Sequence, residues 1–407
     1  MAAWAGKSSR RRWGLAATLG VVVVLVASCT STQAAEPKDE PDKSDDRTST
    51  SSPPPLDPVK LSMSPRNKAA DVAPGDPITV AAVGGKLTKV TLTNDGGEPV
   101  KGRLSPDATT WQVAEPLGYG KTYTASVTGE NADGKPATLK SIFTTVEPRL
   151  KADLSMNPQD GQTVGVGQPL AFYFDVDIAN KAAAQRALQI STTPAVQGAF
   201  YWFSDSEVHW RPKTYWPAGT KVSVKASIYG KNFGDGVFGN DDRIANVTVG
   251  KSIVAVADGG SHQMTVKVNG KVARTIPISM GKPGHETPFG TYVVMSEHTD
   301  YTMDSSTYGV PADAPDGYRT HVDIASRISN SGIFYHSAPW SIGDQGERNV
   351  SHGCINMSTE NAAWLQSISN KGDVMIIKNS GGAALEPWDG LGDWQIPWPT
   401  WTKGGHR

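Results

Sequence analysis

Cysteine is almost absent from this sequence, because Cys29 and Cys354 are the only two among 407 residues. Two cysteines cannot build a disulfide framework, and no Cys-x-x-Cys pair is present to hold zinc. The eight histidines are scattered along the chain and suggest no metal cluster either. Each cysteine must therefore be considered for what it does alone.

An excess of charge of either sign is also lacking. The chain has 39 Lys and Arg against 40 Asp and Glu, which gives a net charge of −1. Proteins that bind nucleic acid usually carry a basic surplus, so we expect no nucleic-acid partner. The 42 glycines and 28 prolines are many for a helical protein and typical of short strands joined by turns. The composition therefore predicts a mainly β protein.

The N-terminal residues have the pattern of an export signal. A basic stretch ending at Arg12 precedes an apolar run over residues 15–27, which is short for a membrane span and typical of a signal peptide. The run ends in Val-Ala-Ser before Cys29 and resembles a bacterial lipobox, in which the cysteine is lipidated. We expect residues 1–28 to be a signal peptide and Cys29 to anchor the exported chain at the outer face of the cytoplasmic membrane, in the cell-wall space. An ordinary signal peptide or an uncleaved anchor is the alternative.

A low-complexity segment and two similar β-rich segments follow. Residues 29–58 contain too few apolar side chains to fold and predict a disordered linker after the lipidated cysteine. Residues 59–148 and 149–250 both contain β-branched strands between turns. Trp111 and Trp210 lie 99 residues apart, and a glycine follows each of them nine residues later. This period is the size of an immunoglobulin-like domain, so we predict two tandem Ig-like sandwiches without disulfides.

A glycine-rich loop in the second repeat offers several oxygen atoms. The side chains of Asn232 and Asp235 and the carbonyl of Gly236 could together bind a structural Ca²⁺. A solvated polar turn explains the same residues, and we favour that interpretation.

The remaining sequence predicts a third β-rich domain over residues 251–380 and a tryptophan-rich tail over residues 381–407. Asn-Gly between alternating runs at 269–270 predicts a hairpin. Residues 359–371 predict the one main helix, with Gly372 as its end. We expect the tail to pack on the third domain and across the second sandwich, with a glycan-stacking surface as the alternative.

Cys354 stands in a context that suits a nucleophile. A lone cysteine of an exported protein is either buried and inert or reactive, and Cys354 follows His352 and Gly353 instead of an apolar run. Gly353 allows close backbone approach, so neighbouring amides could stabilise an oxyanion. His336 ends an apolar, strand-like segment and could serve as the base. These residue types favour a Cys/His nucleophilic site, and a structural cysteine is the alternative.

The spacing of these residues resembles the L,D-transpeptidase (YkuD-type) catalytic domain. His336, fourteen intervening residues and Ser-His-Gly-Cys-Ile-Asn at 351–356 follow that family's pattern without departure. Thr-Pro-Phe-Gly at 287–290 matches a second family feature. With two Ig-like domains and the tail, the chain from about residue 59 onward resembles the lipobox-bearing actinobacterial members.

The resemblance implies a role for each residue of the motif. Cys354 is the nucleophile and His336 the general base, resting as a thiolate–imidazolium pair. The main-chain carbonyl of Ser337 orients His336. The amides of Gly353 and Cys354, with His352 beside them, form the oxyanion hole, although His352 is a second candidate for the base.

The resemblance also places a lid between His298 and Asp323, and ordinary loop packing is the alternative for its residues. The implied substrate-binding residues are Met303, Tyr308, Tyr318, Ser331, Gly332 and Asn356.

The implied reaction is acyl transfer in peptidoglycan. The thiolate attacks the third residue of a tetrapeptide stem, D-Ala leaves, and a diaminopimelate amine of a neighbouring stem resolves the thioester into a 3→3 cross-link. No metal or organic cofactor is required, and carbapenems acylate the same sulfur. An L,D-carboxypeptidase with water as acceptor and a non-catalytic wall-binding module are the alternatives.

Overall fold

The computed structural model describes residues 56–406. The predicted signal peptide, the predicted lipidation site Cys29 and nearly all of the predicted linker lie outside the described residues. Strands dominate the described part, and none of its helices is long and apolar enough to cross a membrane. The predicted mainly β fold class is confirmed.

The first sandwich lies between residues 60 and 144. Its strands are β1 (Lys60–Ser64), β2 (Thr79–Val83), β3 (Lys86–Asn94), β4 (Gly102–Leu104), β5 (Thr110–Val113), β6 (Thr122–Glu130) and β7 (Pro136–Thr144). They form two sheets, in the orders β1-β2-β5-β4 and β3-β6-β7. Alternate residues of the long strand β6 point inward, so that Tyr123, Ala125 and Val127 join a core that also contains Trp111.

The second sandwich follows between residues 150 and 249. Its elements are β8 (Leu150–Ala152), β9 (Leu154–Asn157), β10 (Thr163–Val164), β11 (Leu170–Phe174), α1 (Lys181–Ala187), β12 (Leu188–Thr193), β13 (Gly198–Trp202), β14 (Glu207–Pro212), β15 (Lys221–Ala226), β16 (Val237–Gly239) and β17 (Arg243–Val249). The two main sheets have the orders β10-β17-β15-β12 and β13-β14-β11-β9. The exact domain boundaries stay a prediction.

The two sandwiches repeat one packing detail around their tryptophans. Trp111 lies on β5 and Trp210 on β14, and a glycine on the adjacent strand faces each ring. A Cβ atom at Gly102 would overlap the ring of Trp111, and one at Gly198 would overlap Trp210. The backbone approaches the indole too closely for any larger residue, which explains a glycine at both positions.

The third domain consists of two sheets and a helix. Its strands are β18 (Ile253–Asp258), β19 (Gln263–Val268), β20 (Lys271–Pro277), β21 (Gly290–Val293), β22 (Ser296–Asp304), β23 (Arg319–Arg327), β24 (Phe334–Ser337), β25 (Ile355–Met357) and β26 (Val374–Lys378), with α2 (Thr359–Ile368) between the last two. The sheet orders are β20-β19-β18-β26-β21 and β22-β23-β24-β25. One core cluster contains residues of both sheets and of α2, so the helix packs where the sheets meet.

Helix α2 ends three residues earlier than predicted. Ser358 caps its N-terminus by accepting a hydrogen bond from the amide of Asn361, as its position suggests. At the other end Ser369 is extended, and its hydroxyl donates to the carbonyl of Leu365 at 2.8 Å. The predicted end was wrong because serine and asparagine side chains compete for backbone hydrogen bonds and favour helix ends.

The tryptophan-rich tail contacts both the second sandwich and the third domain. It contains a 3-10 turn (Gly392–Gln395) and one helical turn, α3 (Trp398–Trp401). The guanidinium of Arg211 lies 4.6 Å from the ring of Trp394 and 4.4 Å from that of Trp401. The amide of Gln395 donates to the carbonyl of Thr291 at 2.6 Å, on the third domain. The tail therefore connects the two domains, through cation–π contacts with the second sandwich and a hydrogen bond to the third domain.

His209 makes the stability of this junction depend on pH. Its Nδ1 donates to Asp393 at 2.9 Å and its Nε2 to Glu207 at 3.0 Å, and the imidazole is buried. Burial alone lowers its pKa, but the two carboxylates outweigh burial and raise it to about 9. Because the folded pKa lies above the ordinary value of 6.5, the stabilisation is complete below about pH 6.5 and is lost as the pH rises through about 9.

We expect wild type to lose about 3 kcal/mol of unfolding free energy between pH 6 and pH 10 from this residue. Urea unfolding of wild type and His209→Gln at both pH values measures it. The variant should lose less than wild type over this interval. Equal pH dependence in the two proteins would assign the effect to other groups.

The glycine-rich loop proposed as a calcium site binds its own chain instead. Asn232 accepts a hydrogen bond from the amide of Gly234 at 2.8 Å. The carbonyl of Asp235 accepts from the Arg149 guanidinium at 2.8 Å, and the carbonyl of Gly236 from the Arg149 amide at 2.9 Å. Within residues 56–406 no group of three His, Cys, Asp or Glu could hold a metal ion. The Asn232 side chain and the Gly236 carbonyl therefore already accept hydrogen bonds from their own chain, as in the polar turn that we favour, and the calcium site gains no support.

Candidate active site

A parallel pair of strands positions the two residues of the predicted nucleophilic site. Strands β24 and β25 run side by side with His336 opposite Asn356, and Cys354 immediately precedes β25. Because side chains alternate along a strand, Cys354 and Asn356 share one face, and His336 lies on the neighbouring strand beside them. Apolar residues bury β24 completely, so the imidazole projects from a rigid element.

These side chains open into one cavity of about 260 Å³. Six residues predicted from sequence line it, namely Cys354, His336, His352, Asn356, Met303 and Tyr318. Six further lining residues were not predicted, namely Thr320, Trp340, Ser341, Asp344, Val350 and Ser351. The position of Trp340, four residues after His336, could have indicated a site residue from the sequence. Nothing in the sequence pattern indicated Asp344.

The imidazole of His336 is buried and neutral. Its Nδ1 donates a hydrogen bond to the carbonyl of Ser337 at 2.9 Å, which leaves Nε2 without a proton. Burial lowers the pKa of His336 to about 4, although the hydrogen bond to the Ser337 carbonyl and the nearby Asn356 side chain both act to raise it. The Ser337 carbonyl therefore orients the ring as the resemblance implied, and Nε2 is the basic atom.

The thiol of Cys354 is also buried, with 7% of the residue exposed. Its Sγ donates to the carbonyl of Gly332 at 3.5 Å. Burial raises the pKa of Cys354 to about 12. Burial disfavours both charges of the expected thiolate–imidazolium resting pair and so favours a neutral thiol with a neutral base, which the absorbance measurement below tests.

The neutral pair has a direct spectroscopic consequence. We expect the ultraviolet absorbance of a thiolate, taken as the difference between wild type and Cys354→Ala, to be absent from pH 5 to pH 9. The reason is the raised pKa of about 12 for this thiol. A difference signal at pH 7 that disappears on acidification to pH 4 would contradict the neutral pair and restore the ion pair.

The amide of Gly353 is not free to form half of an oxyanion hole. It donates to the hydroxyl of Ser351 at 3.1 Å, and that hydroxyl donates to the carbonyl of Cys354 at 2.6 Å. The expected role of Gly353 as a donor is therefore wrong, because the motif serine uses its N–H. The amide of Cys354 makes no backbone hydrogen bond within the described part of the chain, so it remains the candidate oxyanion donor.

Two residues outside the predicted site hold the motif loop in place. The hydroxyl of Thr287 donates to the carbonyl of Gly353 at 2.7 Å. The ammonium of Lys282 donates to Nε2 of His352 at 3.0 Å. The pKa of His352 is lowered by burial, then by Lys282 and His285. Because Nε2 of His352 already accepts a hydrogen bond from Lys282, His352 is suited to positioning the motif loop and poorly suited to act as the base.

The lid residues divide between the cavity and its support. Met303 and Tyr318 line the cavity, whereas Tyr308 does not. Its ring instead covers Gly332, which has φ +94° and where a Cβ would lie 2.6 Å from that ring. Gly332 thus must be glycine and reaches Cys354 through its carbonyl. Tyr308 packs over Gly332, and the expected contact of its ring with substrate stays a prediction.

Ser331 is likewise turned away from the cavity. Its amide and hydroxyl donate to the two oxygens of Asp389, at 2.7 and 2.6 Å. The tail residue Asp389 uses both donors of Ser331, and the expected contact of this turn with substrate stays a prediction. The bond fastens the tail to the loop that carries Gly332.

Comparison with known proteins decides the family. Residues 252–377 match the family model described as the L,D-transpeptidase catalytic domain, and residues 69–232 match a bacterial Ig domain. L,D-transpeptidase 2 of Mycobacterium tuberculosis (strain CDC 1551 / Oshkosh) is 45% identical over 348 residues, which cover 86% of this chain and 85% of that protein. The chain belongs to the L,D-transpeptidase family.

Other similar proteins carry the same name. L,D-transpeptidase 5 of Mycobacterium tuberculosis (strain ATCC 25618 / H37Rv) is 38% identical and covers 86% of this chain and 77% of its own length. A solved structure of the LD transpeptidase LdtMt1 in complex with imipenem is 37% identical, with a TM-score of 0.49 over 57% of this chain and 100% of that chain. This L,D-transpeptidase is therefore an enzyme, and its family consists of cysteine enzymes that need no cofactor, as predicted.

Proposed function

We propose that this L,D-transpeptidase forms 3→3 cross-links between diaminopimelate residues of peptidoglycan stems through a thioester on Cys354. One observation carries the proposal. A thiol and an imidazole with an unprotonated Nε2 share one cavity, the imidazole on β24 and the thiol just before the adjacent strand β25. Such a pair can split an amide exchange into two easier acyl transfers.

In the first step the sulfur attacks the carbonyl of the third stem residue while His336 removes the thiol proton. Transfer of the proton accompanies attack, because a free thiolate is strongly disfavoured in this cavity. The Ser337 carbonyl stabilises the imidazolium that forms. Asn356 Oδ1 is buried without a hydrogen-bond partner within the described residues and would accept one once Nε2 is protonated.

The tetrahedral intermediate then collapses to the thioester. The Cys354 amide donates to the oxyanion, and the imidazolium of His336 gives its proton to the nitrogen of the departing D-Ala. The C–N bond breaks and a C–S bond remains. In the second half-reaction the acceptor amine attacks the thioester carbonyl, His336 takes the proton from that amine, and the sulfur leaves and recovers it as a thiol.

We also propose that carbapenems acylate Cys354, because their strained amide offers the same sulfur a reactive carbonyl. Tyr318, Met303 and Asn356 are proposed to contact the bound substrate, since they line the cavity beside the thiol.

We further propose that the enzyme is anchored through Cys29 at the outer face of the cytoplasmic membrane. The support is the signal-peptide pattern and the small residues before that cysteine. Labelling of cells with an alkyne fatty acid should mark wild type and leave Cys29→Ala unmarked. Equal labelling of both proteins would contradict the anchor.

Product analysis tests the reaction. Purified enzyme incubated with disaccharide-tetrapeptide is expected to give cross-linked dimer and one released D-Ala per cross-link, as read by mass spectrometry. Cys354→Ala under the same conditions is the matched control and should leave the substrate intact. Disaccharide-tripeptide alone would show that water is the acceptor and would make the enzyme an L,D-carboxypeptidase.

A further inference from the structure

The charged groups around the catalytic cavity come from two different segments. Lys282 and His285 accompany His352, which lies beside the lid residue Tyr318. The loop after β24 contributes Asp344 together with Trp340. Asp344 is the only carboxylate among the residues that line the cavity in the described chain.

One oxygen of the Asp344 carboxylate is available to accept a hydrogen bond from a ligand. Its Oδ1 accepts a hydrogen bond from Nε of Arg348 at 2.6 Å, while Oδ2 accepts none within the described part of the chain. The side chain is 20% exposed and belongs to the cavity wall. Arg348 therefore uses one oxygen, and the second oxygen can receive a donor from within the cavity.

Trp340 offers a second feature that suits a cation. Its ring stacks on the imidazole of His336 at 5.9 Å with an interplanar angle of 29°. The residue is 56% exposed although it lies next to the catalytic residues. The face of an indole attracts an ammonium group, and a carboxylate beside it supplies the hydrogen-bond acceptor that an ammonium requires.

We propose that Asp344 and Trp340 form the subsite that binds the ammonium group of the acceptor stem before transfer, an inference that rests on the function proposed above. The subsite selects a primary amine over water and brings it beside Cys354. The ammonium loses its first proton to water, and His336 takes the second as the C–N bond forms and passes it to the departing sulfur. Arg348 shares the charge of the carboxylate, so that the ammonium is held weakly enough to lose its first proton. Lys282 disfavours the same cation near His352.

Acceptor titration tests the subsite. Dimer formation is measured at saturating tetrapeptide donor whose diaminopimelate amine is acetylated, with increasing concentrations of a stem tripeptide, which offers the amine but has no D-Ala to release. For Asp344→Asn we expect the half-saturating acceptor concentration to rise roughly tenfold to a hundredfold, since a charge-assisted hydrogen bond is lost. Release of D-Ala from the acetylated donor without tripeptide, which reports the first half-reaction, should change far less than the acceptor half-saturation.

Asp323→Asn is the matched control, because Asp323 is an exposed carboxylate on β23 outside the cavity. It should behave as wild type in both assays. An unchanged acceptor half-saturation in Asp344→Asn would overturn the subsite, and so would equal losses in both half-reactions, which would assign Asp344 to the structure of its loop. Absence of dimer with wild type would instead overturn the proposed function.

Discussion

Replacing Cys354 by alanine is expected to abolish acylation completely. Wild type incubated with a carbapenem should gain the mass of one inhibitor molecule, and Cys354→Ala should gain none. No other thiol lies within the described residues, and the hydroxyls of Ser341 and Ser351, which also line the cavity, already donate to main-chain carbonyls. Intact-mass spectrometry of the two proteins measures the difference directly.

The variant should otherwise remain folded, since it removes one sulfur atom and leaves the hydrogen bond between His336 and Ser337 in place. Equal circular dichroism spectra, and free energies of unfolding in urea that agree within about 1–2 kcal/mol, would establish this. An adduct of the same mass on folded Cys354→Ala would contradict the assignment of the nucleophile.

Replacing His336 by glutamine is expected to slow acylation by about 10²- to 10⁴-fold, the usual contribution of a general base. Without the base, reaction depends on the thiolate, which the raised pKa of about 12 makes scarce. The rate of His336→Gln should therefore rise about tenfold per pH unit between pH 7 and pH 10. Wild type should be nearly independent of pH in this range, because the pKa of His336 is lowered to about 4 and the base is already unprotonated.

His352→Gln provides the matched control for the base. His352 lines the same cavity but already accepts a hydrogen bond from Lys282. We expect a smaller loss of rate and no change in its pH dependence. If His352→Gln acquired the steep pH dependence and His336→Gln did not, the base would be His352.

The parts of the site that depend on residue spacing along the chain could be predicted from the sequence. The spacing of His336 and the motif at 351–356 was enough to bring Cys354 and His336 together, because those segments become adjacent strands. Strand character and the Trp-to-Gly repeat were enough to predict the β architecture, which the structure and the family both support.

Features that depend on tertiary burial escaped sequence reasoning. The raised pKa of the thiol follows from its burial, which no motif records. The amide of Gly353 is used by Ser351 within the same motif, and Ser331 is used by Asp389 from the distant tail. Asp344 carries no pattern at all, and only the path of its loop makes it line the cavity.

The most direct test of the account is the mass of the enzyme during turnover of its proposed donor. Wild type mixed with disaccharide-tetrapeptide whose diaminopimelate amine is acetylated, and quenched in acid within milliseconds to seconds, should carry the donor less D-Ala, attached to Cys354. The added mass should disappear when a stem tripeptide is supplied as acceptor, with dimer formed in equal amount. Dimer formation without any acyl-enzyme on Cys354, or the same acyl-enzyme on Cys354→Ala, would contradict the account.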